Sequence, residues 1–281
     1  MINKDLNVNI KRVTSILKYL LAVMGIVIMI GPFYWMVTGS FKTLVEIQRI
    51  PPTLFPQEPT LKNFGLIFSL LPFHRYLLNS VFVSSVTTTL KIFSSVLAGY
   101  IFAKFYFRGK NLLFYLLLAG LMIPFQMIII PMYVLIVNLG WSNSFTALIV
   151  PGYFEIFALF LARQFMHSIP NDFIDAARID GASEFRIFFE IIFPLSIALI
   201  IPLFILLFLQ KWNSLLWPLI VLTTQEKFTL PLGLANLTQS EFRSELTMSL
   251  AGAVVAMLPI LVIFSVLQRQ IKEGIVLTGI K

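Results

Sequence analysis

Residues Ser168 to Leu195 read SIPNDFIDAARIDGASEFRIFFEIIFPL, and this stretch decides how the rest of the chain is understood. It is the longest charged, helical-looking segment in a sequence otherwise made of long apolar runs. Pro170 suits the first turn of a helix, where its missing N–H is not needed. Asp172 and Asp175 then fall in the opening turn, where carboxylates favour the positive end of the helix dipole. Phe173, Ile174 and Ala177 form one apolar face, with Asp172, Asp175 and Arg178 turned largely away from it. Gly181 stands where the helix must stop, as a residue that takes positive φ without penalty. Ser183 caps a second helix running through Phe185, Phe188 and Phe189, and Pro194 marks its approach to the next apolar run. The expectation is helix, glycine turn, helix: a polar finger between two membrane spans. An amphipathic helix lying passively on the bilayer surface is the plainer reading of the same pattern.

Working outward, the composition fits a bilayer. The 281 residues are 58% hydrophobic and 12% charged, with a mean hydropathy of +0.89. An ordinary soluble domain carries about twice that charged fraction. The fold class expected is all-α: a polytopic membrane protein with six transmembrane helices and a cytoplasmic helical finger between the fourth and fifth. The first helix covers about 19–38 and is preceded by Lys4, Lys11, Arg12 and Lys18; it is too long for a signal-peptide core and lacks a small-residue cleavage site. With its flanking loop it makes an N-terminal segment, 1–74. The transmembrane core, 75–270, holds helices at about 77–103, 112–137, 145–162, 192–221 and 248–268, and 271–281 is a cytoplasmic tail. Gly31-Pro32, Pro124, Pro131 and Pro202 interrupt or kink these runs. The second span is rich in Ser, Thr and Gly, which suits close helix packing in lipid.

The net charge of +8 does not indicate nucleic acid, because the basic residues sit at the ends of apolar runs. With the N-terminus inside, thirteen Lys and Arg fall on inner segments and six on outer ones. That count places both termini and the finger of this multi-pass chain in the cytoplasm. There is no cysteine, so disulfides, thiolate nucleophiles and Cys-ligated metals are excluded. Gly109-Lys110 lacks the upstream glycine of a phosphate-cradling loop. His74 and His167 lie on opposite sides, so no metal site is expected. No acid, base and nucleophile cluster is present, so no catalytic residue and no cofactor are expected.

Charged groups inside spans cost about 2.5–3.5 kcal/mol each at the bilayer centre on the insertion scale, so they tend to pair or line a cavity. Glu155 and Lys211, of opposite sign on neighbouring spans, are open to both roles. Lys91 lies among small residues and suits contact with a partner chain. Trp212 and Asn213 are of the type that binds sugars, an aromatic plate beside a hydrogen-bonding group, although an interfacial aromatic is the commoner reason for a Trp there. Glu155, Lys211, Trp212 and Asn213 are therefore the substrate-pathway candidates.

Asp175-Ala176-Ala177, Gly181, Ile191 and Pro194 resemble the EAA signature of the integral-membrane permeases of ATP-driven, binding-protein-dependent importers. The chain departs from the pattern with Asp175 in place of Glu and Phe193 in place of Leu. The run from Ala176 to Phe185 is similar to maltose- and multiple-sugar-type subunits. Phe33–Met36, Ser40–Lys42, Pro51–Leu54, Pro59–Phe64, Tyr76–Ser80, Phe107–Lys110, Met122–Pro124, Arg163–Phe165, Trp212–Pro218, Leu230–Gly233 and Gly274–Lys281 extend the likeness over nearly the whole chain. The resemblance implies a transmembrane subunit of a carbohydrate importer. It implies a second permease subunit as heterodimer partner, a cytoplasmic ABC ATPase dimer and an extracytoplasmic solute-binding protein, with a sugar as substrate. It also implies that Asp175, Ala176, Ala177, Arg178, Asp180, Gly181, Ile191 and Pro194 couple to the ATPase. A self-contained secondary carrier or channel is the alternative; it predicts repeated halves and ion-coupling acids within the membrane, which the sequence does not clearly show.

Overall fold

The computed structural model describes the backbone of residues 2–239 and 246–278, and the side chains of 14–237 and 246–268. The end of the expected 271–281 tail and Arg243 lie outside the described residues. The described backbone is helical, with no strand. Three helical stretches, Thr14–Ser40, Phe73–Lys104 and Leu246–Gln268, are each long and apolar enough to cross a membrane. Three bent pairs of shorter helices bring the number of candidate spans to six.

The chain divides into two compact units. The first comprises residues 1–71 and 237–255. Its leading helix α1 (Ile2–Ser40) continues through Pro32. Side chains such as Val27, Ile28 and Met29 are exposed along it, as lipid-facing groups must be. After α1 the expected polar connection is folded. It contains α2 (Leu44–Ile47), capped by Thr43, and α3 (Lys62–Leu70). The Asn63 amide donates to the carbonyls of Ser40 and Lys42, at 2.7 and 2.9 Å, closing the loop back on the helix end. Lys42 is fully buried, with its ammonium 4.5 Å from the Trp35 ring centroid and bonded to the Thr53 carbonyl. Glu46 accepts from the Thr53 hydroxyl at 2.7 Å and the Gln57 N–H at 2.9 Å. Burial pushes the Glu46 carboxyl up, but these bonds, with one from Glu58 and the Lys42 charge, hold it below the usual carboxylate range.

The second unit comprises residues 72–236 and 256–281. Its axis is α4 (Phe73–Lys104), which packs along two later helices. Three broken spans follow the loop after α4. In the first, α5 (Lys110–Ala119) gives way through a tight turn at Gly120–Met122 to α6 (Phe125–Asn138). The two halves are bent by 100°, at Pro124. In the second, α7 (Phe145–Ile149) and a turn at Val150–Gly152 meet α8 (Ile156–Ser168) at 42°. The finger follows as α9 (Asp172–Ile179) and α10 (Glu184–Ile187). A wide π-helical turn at Phe188–Ile192 and α11 (Phe193–Leu195) lead into α12 (Ile197–Trp212), bent by 73°. Pro202 lies inside α12. α13 (Leu216–Val221) and α14 (Leu230–Gln239) precede α15 (Leu246–Thr278), which continues through Pro259.

α4 and α8 approach closely because α4 presents Gly99 where they cross. A Cβ on Gly99 would lie 2.6 Å from the Ala162 Cβ and 2.9 Å from backbone atoms of Ala162 and Arg163. Backbone cannot yield as a side chain can, so Gly99→Leu is expected to push the helices apart and cost about 1–3 kcal/mol or more. A reduced yield of monodisperse protein in mild detergent is the measurement that checks it.

Broken spans carry a cost that the sequence pattern hides. Each break frees backbone N–H and C=O groups that lipid cannot satisfy. At the α7–α8 break four side chains meet backbone carbonyls, of which that of Glu155 also accepts the Leu159 N–H of α8 at 3.0 Å. Trp217 Nε1 donates to Ala147, Lys211 Nζ to Leu148, Ser94 Oγ to Tyr153 and Ser95 Oγ to Glu155, at 2.8, 2.8, 3.0 and 3.2 Å. The serines expected to serve packing also do this work.

Candidate functional site

The finger is held at its base and open at its tip. α9 begins after Asn171, so Pro170 stands just before the helix rather than in its first turn. The helix ends at Gly181 in a pair of backbone hydrogen bonds. Gly181, at φ +78°, donates to the Arg178 carbonyl at 3.0 Å, and Ala182 donates to Ala177 at 2.9 Å. The Ser183 hydroxyl accepts from the Arg186 N–H and starts α10, as the sequence predicts. Arg178 crosses the turn: its Nε donates to Glu184 Oε1 at 2.9 Å, and Asp175 lies 3.5 Å away on the same helix. The Glu184 hydrogen bond raises the Arg178 guanidinium above its ordinary value. Glu184 Oε2 in turn accepts from the Tyr100 hydroxyl of α4 at 3.0 Å. Lys104, the last residue of α4, bonds the Ile169 carbonyl and the Asn171 side chain. Ile174, Ile187 and Phe188 are buried with Tyr100 in one apolar cluster. The two finger helices and the C-terminal end of α4 are thereby linked by apolar packing and by a Tyr100–Glu184–Arg178 chain of bonds.

The expected apolar face divides in two. Ile174 is buried and Ala177 half-buried, but Phe173 is exposed. Ile179 and Phe185 are 86% and 75% exposed. Asp175, Ala176, Arg178, Asp180 and Gly181 also lie on the surface. Ile191 sits half-buried in the wide turn, and Pro194 is exposed at the start of α11, where the finger rejoins the membrane helix.

The second constellation lies between the broken spans. Glu155 is the residue just before α8, in extended conformation at the break rather than inside a continuous helix. Its partner is Lys91 of α4, at 2.7 Å, and not Lys211. Lys91 also donates to Gln210 Oε1 at 3.3 Å. Lys211 bonds a backbone carbonyl instead, at the end of α7. Lys91, Glu155, Gln210 and Lys211 line one cavity of about 580 Å³, walled also by Trp217 and by residues of the α5–α6 bend. Asn213, just past the end of α12, lines a neighbouring cavity of about 480 Å³ with Glu155 and Gln210. Trp212 lines neither; it is 2% exposed, with its ring stacked on Phe208 at 5.6 Å. The tryptophan on the cavity wall is Trp217, whose indole N–H is already committed to Ala147. Lys91 is the group that the sequence under-read. A lysine in a run of small residues gives no sign of which distant acid it meets. Among the described residues no cluster of His, Asp and Glu is disposed to hold a metal.

Long apolar helices with broken spans, and polar groups gathered at the breaks, mark an integral-membrane protein. Residues 95–276 match the family of binding-protein-dependent transport system inner membrane components, and the chain belongs to that family. It is 37% identical over 257 residues to the arabinooligosaccharides transport system permease protein AraQ of Halalkalibacterium halodurans, with 90% of this chain and 92% of the relative covered. It is 32% identical over 269 residues to the sn-glycerol-3-phosphate transport system permease protein UgpE of Escherichia coli, with 93% and 96% covered. The fold matches a chain in the crystal structure of a bacterial ABC transporter involved in import of the acidic polysaccharide alginate. That match has a TM-score of 0.82 and 19% identity and covers 92% of this chain and 96% of the other. The protein is a multi-pass inner-membrane permease subunit of a multicomponent transporter, and not an enzyme.

Proposed function

We propose that this chain forms one half of the translocation pathway of an ATP-driven carbohydrate importer. A second, different permease supplies the other half, a cytoplasmic ABC ATPase dimer drives the cycle, and an extracytoplasmic binding protein delivers the solute. The carbohydrate class is supported by the arabinooligosaccharide and glycerol-phosphate systems for which the relatives are named. The excess of Lys and Arg on the inner segments supports cytoplasmic termini and a cytoplasmic finger.

The observation that carries the reading is the finger itself. It is rigid at its base, bonded to α4, and presents Phe173, Ile179 and Phe185 to solvent with no cover among the described residues. Such a piece can be seated in a cleft of the ATPase around Asp175–Gly181. Closure of the ATPase dimer would then displace it as a rigid body and, through Ile191 and Pro194, rock the broken spans. Glu155, Lys211 and Asn213 face the cavities through which solute would pass, whereas Trp212 stacks on Phe208 one turn earlier in α12 and lines neither.

Ile179→Asp tests this. The side chain is exposed, so folding and membrane insertion should survive, while burying a carboxylate in place of an isoleucine should weaken ATPase binding about tenfold or more. Co-purification of the ATPase with the permease in mild detergent measures it. Unchanged recovery of the ATPase would count against the seating.

A further inference from the structure

The Lys211 ammonium has three N–H donors and uses one of them, on the Leu148 carbonyl at 2.8 Å. Among the described residues no carboxylate pairs with it. Glu155, the acid of the same cavity, is taken by Lys91 at 2.7 Å. The cavity therefore holds two cations against one anion. Between membrane helices an uncompensated positive charge is unfavourable and draws a counter-anion. The backbone carbonyl at the end of α7 offers a partial charge and leaves two donors unfilled.

The surroundings leave room for a ligand to meet those donors. The cavity measures about 580 Å³, within the roughly 300–1,000 Å³ usual for small-ligand sites. Gly152 flanks the ammonium: a Cβ there would lie 3.9 Å from Lys211 Nζ, so the missing side chain keeps that approach clear. Gln126 and Ser214 also line the cavity, neutral groups suited to hydroxyls. We infer that Lys211 recognises an anionic group on the transported solute, so that the pathway takes a carbohydrate or polyol bearing a carboxylate or a phosphate. This rests on the proposal that the cavity belongs to an importer's pathway, and adds to it the charge class of the cargo.

The test uses cells that keep the rest of the transporter, lack this chain and receive it back as wild type, Lys211→Met or Lys211→Arg. Uptake of labelled galacturonate and glycerol 3-phosphate is compared with that of galactose and glycerol, and assembly is followed by co-purification. Wild type should import at least one anionic solute. Lys211→Met should lower that uptake about tenfold or more while the complex stays assembled, and Lys211→Arg should restore most of it, since a fixed cation suffices for the contact. Loss confined to galacturonate assigns a carboxylate, and loss confined to glycerol 3-phosphate assigns a phosphate. Normal anion uptake by Lys211→Met overturns the inference. So does a wild type that imports only the neutral solutes, or none of the four, from an assembled complex. Release of the second permease by Lys211→Met also overturns it, because the counter-charge is then a carboxylate on that subunit. Absence of the ATPase from the wild-type complex instead sinks the importer reading itself.

Discussion

Glu155→Ala is expected to destabilise this permease more than any other single change among its membrane-depth polar groups. Lys91 is 9% exposed at its side chain and spends its charge on Glu155 at 2.7 Å. Gln210 is its other side-chain partner, neutral and longer at 3.3 Å. Removing the acid leaves a desolvated ammonium beside a second one, Lys211, in the same cavity. Breaking a buried pair from one side costs about 3–5 kcal/mol, far more than the pair itself contributes. For a chain of this size, that corresponds to a fall of about 6 °C or more in the midpoint of thermal unfolding in detergent. The double change Lys91→Met with Glu155→Leu removes both charges and should recover most of the loss. A single variant that melts with the wild type would show that the pair is solvated and not buried between the helices. Because Glu155 also stands at the α7–α8 break, the double variant separates loss of charge from loss of the break geometry.

The second large effect is on uptake and not on stability. Gly181→Val should reduce transport about tenfold or more while membrane insertion and yield are kept. The residue has φ +78°, and a branched side chain in that region costs roughly 1–2 kcal/mol. A Cβ at Gly181 meets nothing within 4 Å, so the effect comes from the backbone and not from crowding. Relief of that strain requires the turn to open, which gives up the paired bonds to Arg178 and Ala177 and changes the angle between α9 and α10. The exposed tip would then no longer sit where its base directs it. Gly181→Asn, which tolerates the left-handed region, should keep most of the activity. Uptake of the transported carbohydrate by whole cells, beside ATPase co-purification, measures both. Full uptake by the valine variant would remove the case for a rigid coupling helix.

Much of the finger was legible from residue order because its determinants are local. Gly181 marks a left-handed stop, Ser183 a cap, and Ile174 one apolar position, each read within a turn or two of helix. Pro170 was misplaced by a residue or two, since a proline is equally content just before a helix and in its first turn. The split of Phe173 from Ile174 could not be read, because spacing says which residues share a face and not how much of that face its own chain covers.

The membrane spans show the same division. Apolar runs of sufficient length established six candidate crossings, because bilayer thickness is a one-dimensional constraint that hydropathy measures directly. Prolines marked where helices are interrupted, but not by how much: Pro124 sits at a bend of 100°, while Pro32 and Pro202 lie inside continuing helices. A proline only deletes one bond and crowds one carbonyl, and the surrounding packing decides whether the helix turns.

What the sequence determined by itself was therefore the class of molecule, its number of spans and the form of its finger. The tertiary structure alone decided that Glu155 meets Lys91 and leaves Lys211 without an acid among the described residues, that Trp212 turns inward while Trp217 faces the cavity, and that serines serve the broken α7–α8 span. The bonds of Lys91 to Glu155, of Ser94, of Ser95 and of Trp217 join residues 59 to 70 positions apart. Partners at such distances are chosen by which helices pack together, and helix packing leaves no local mark on either residue.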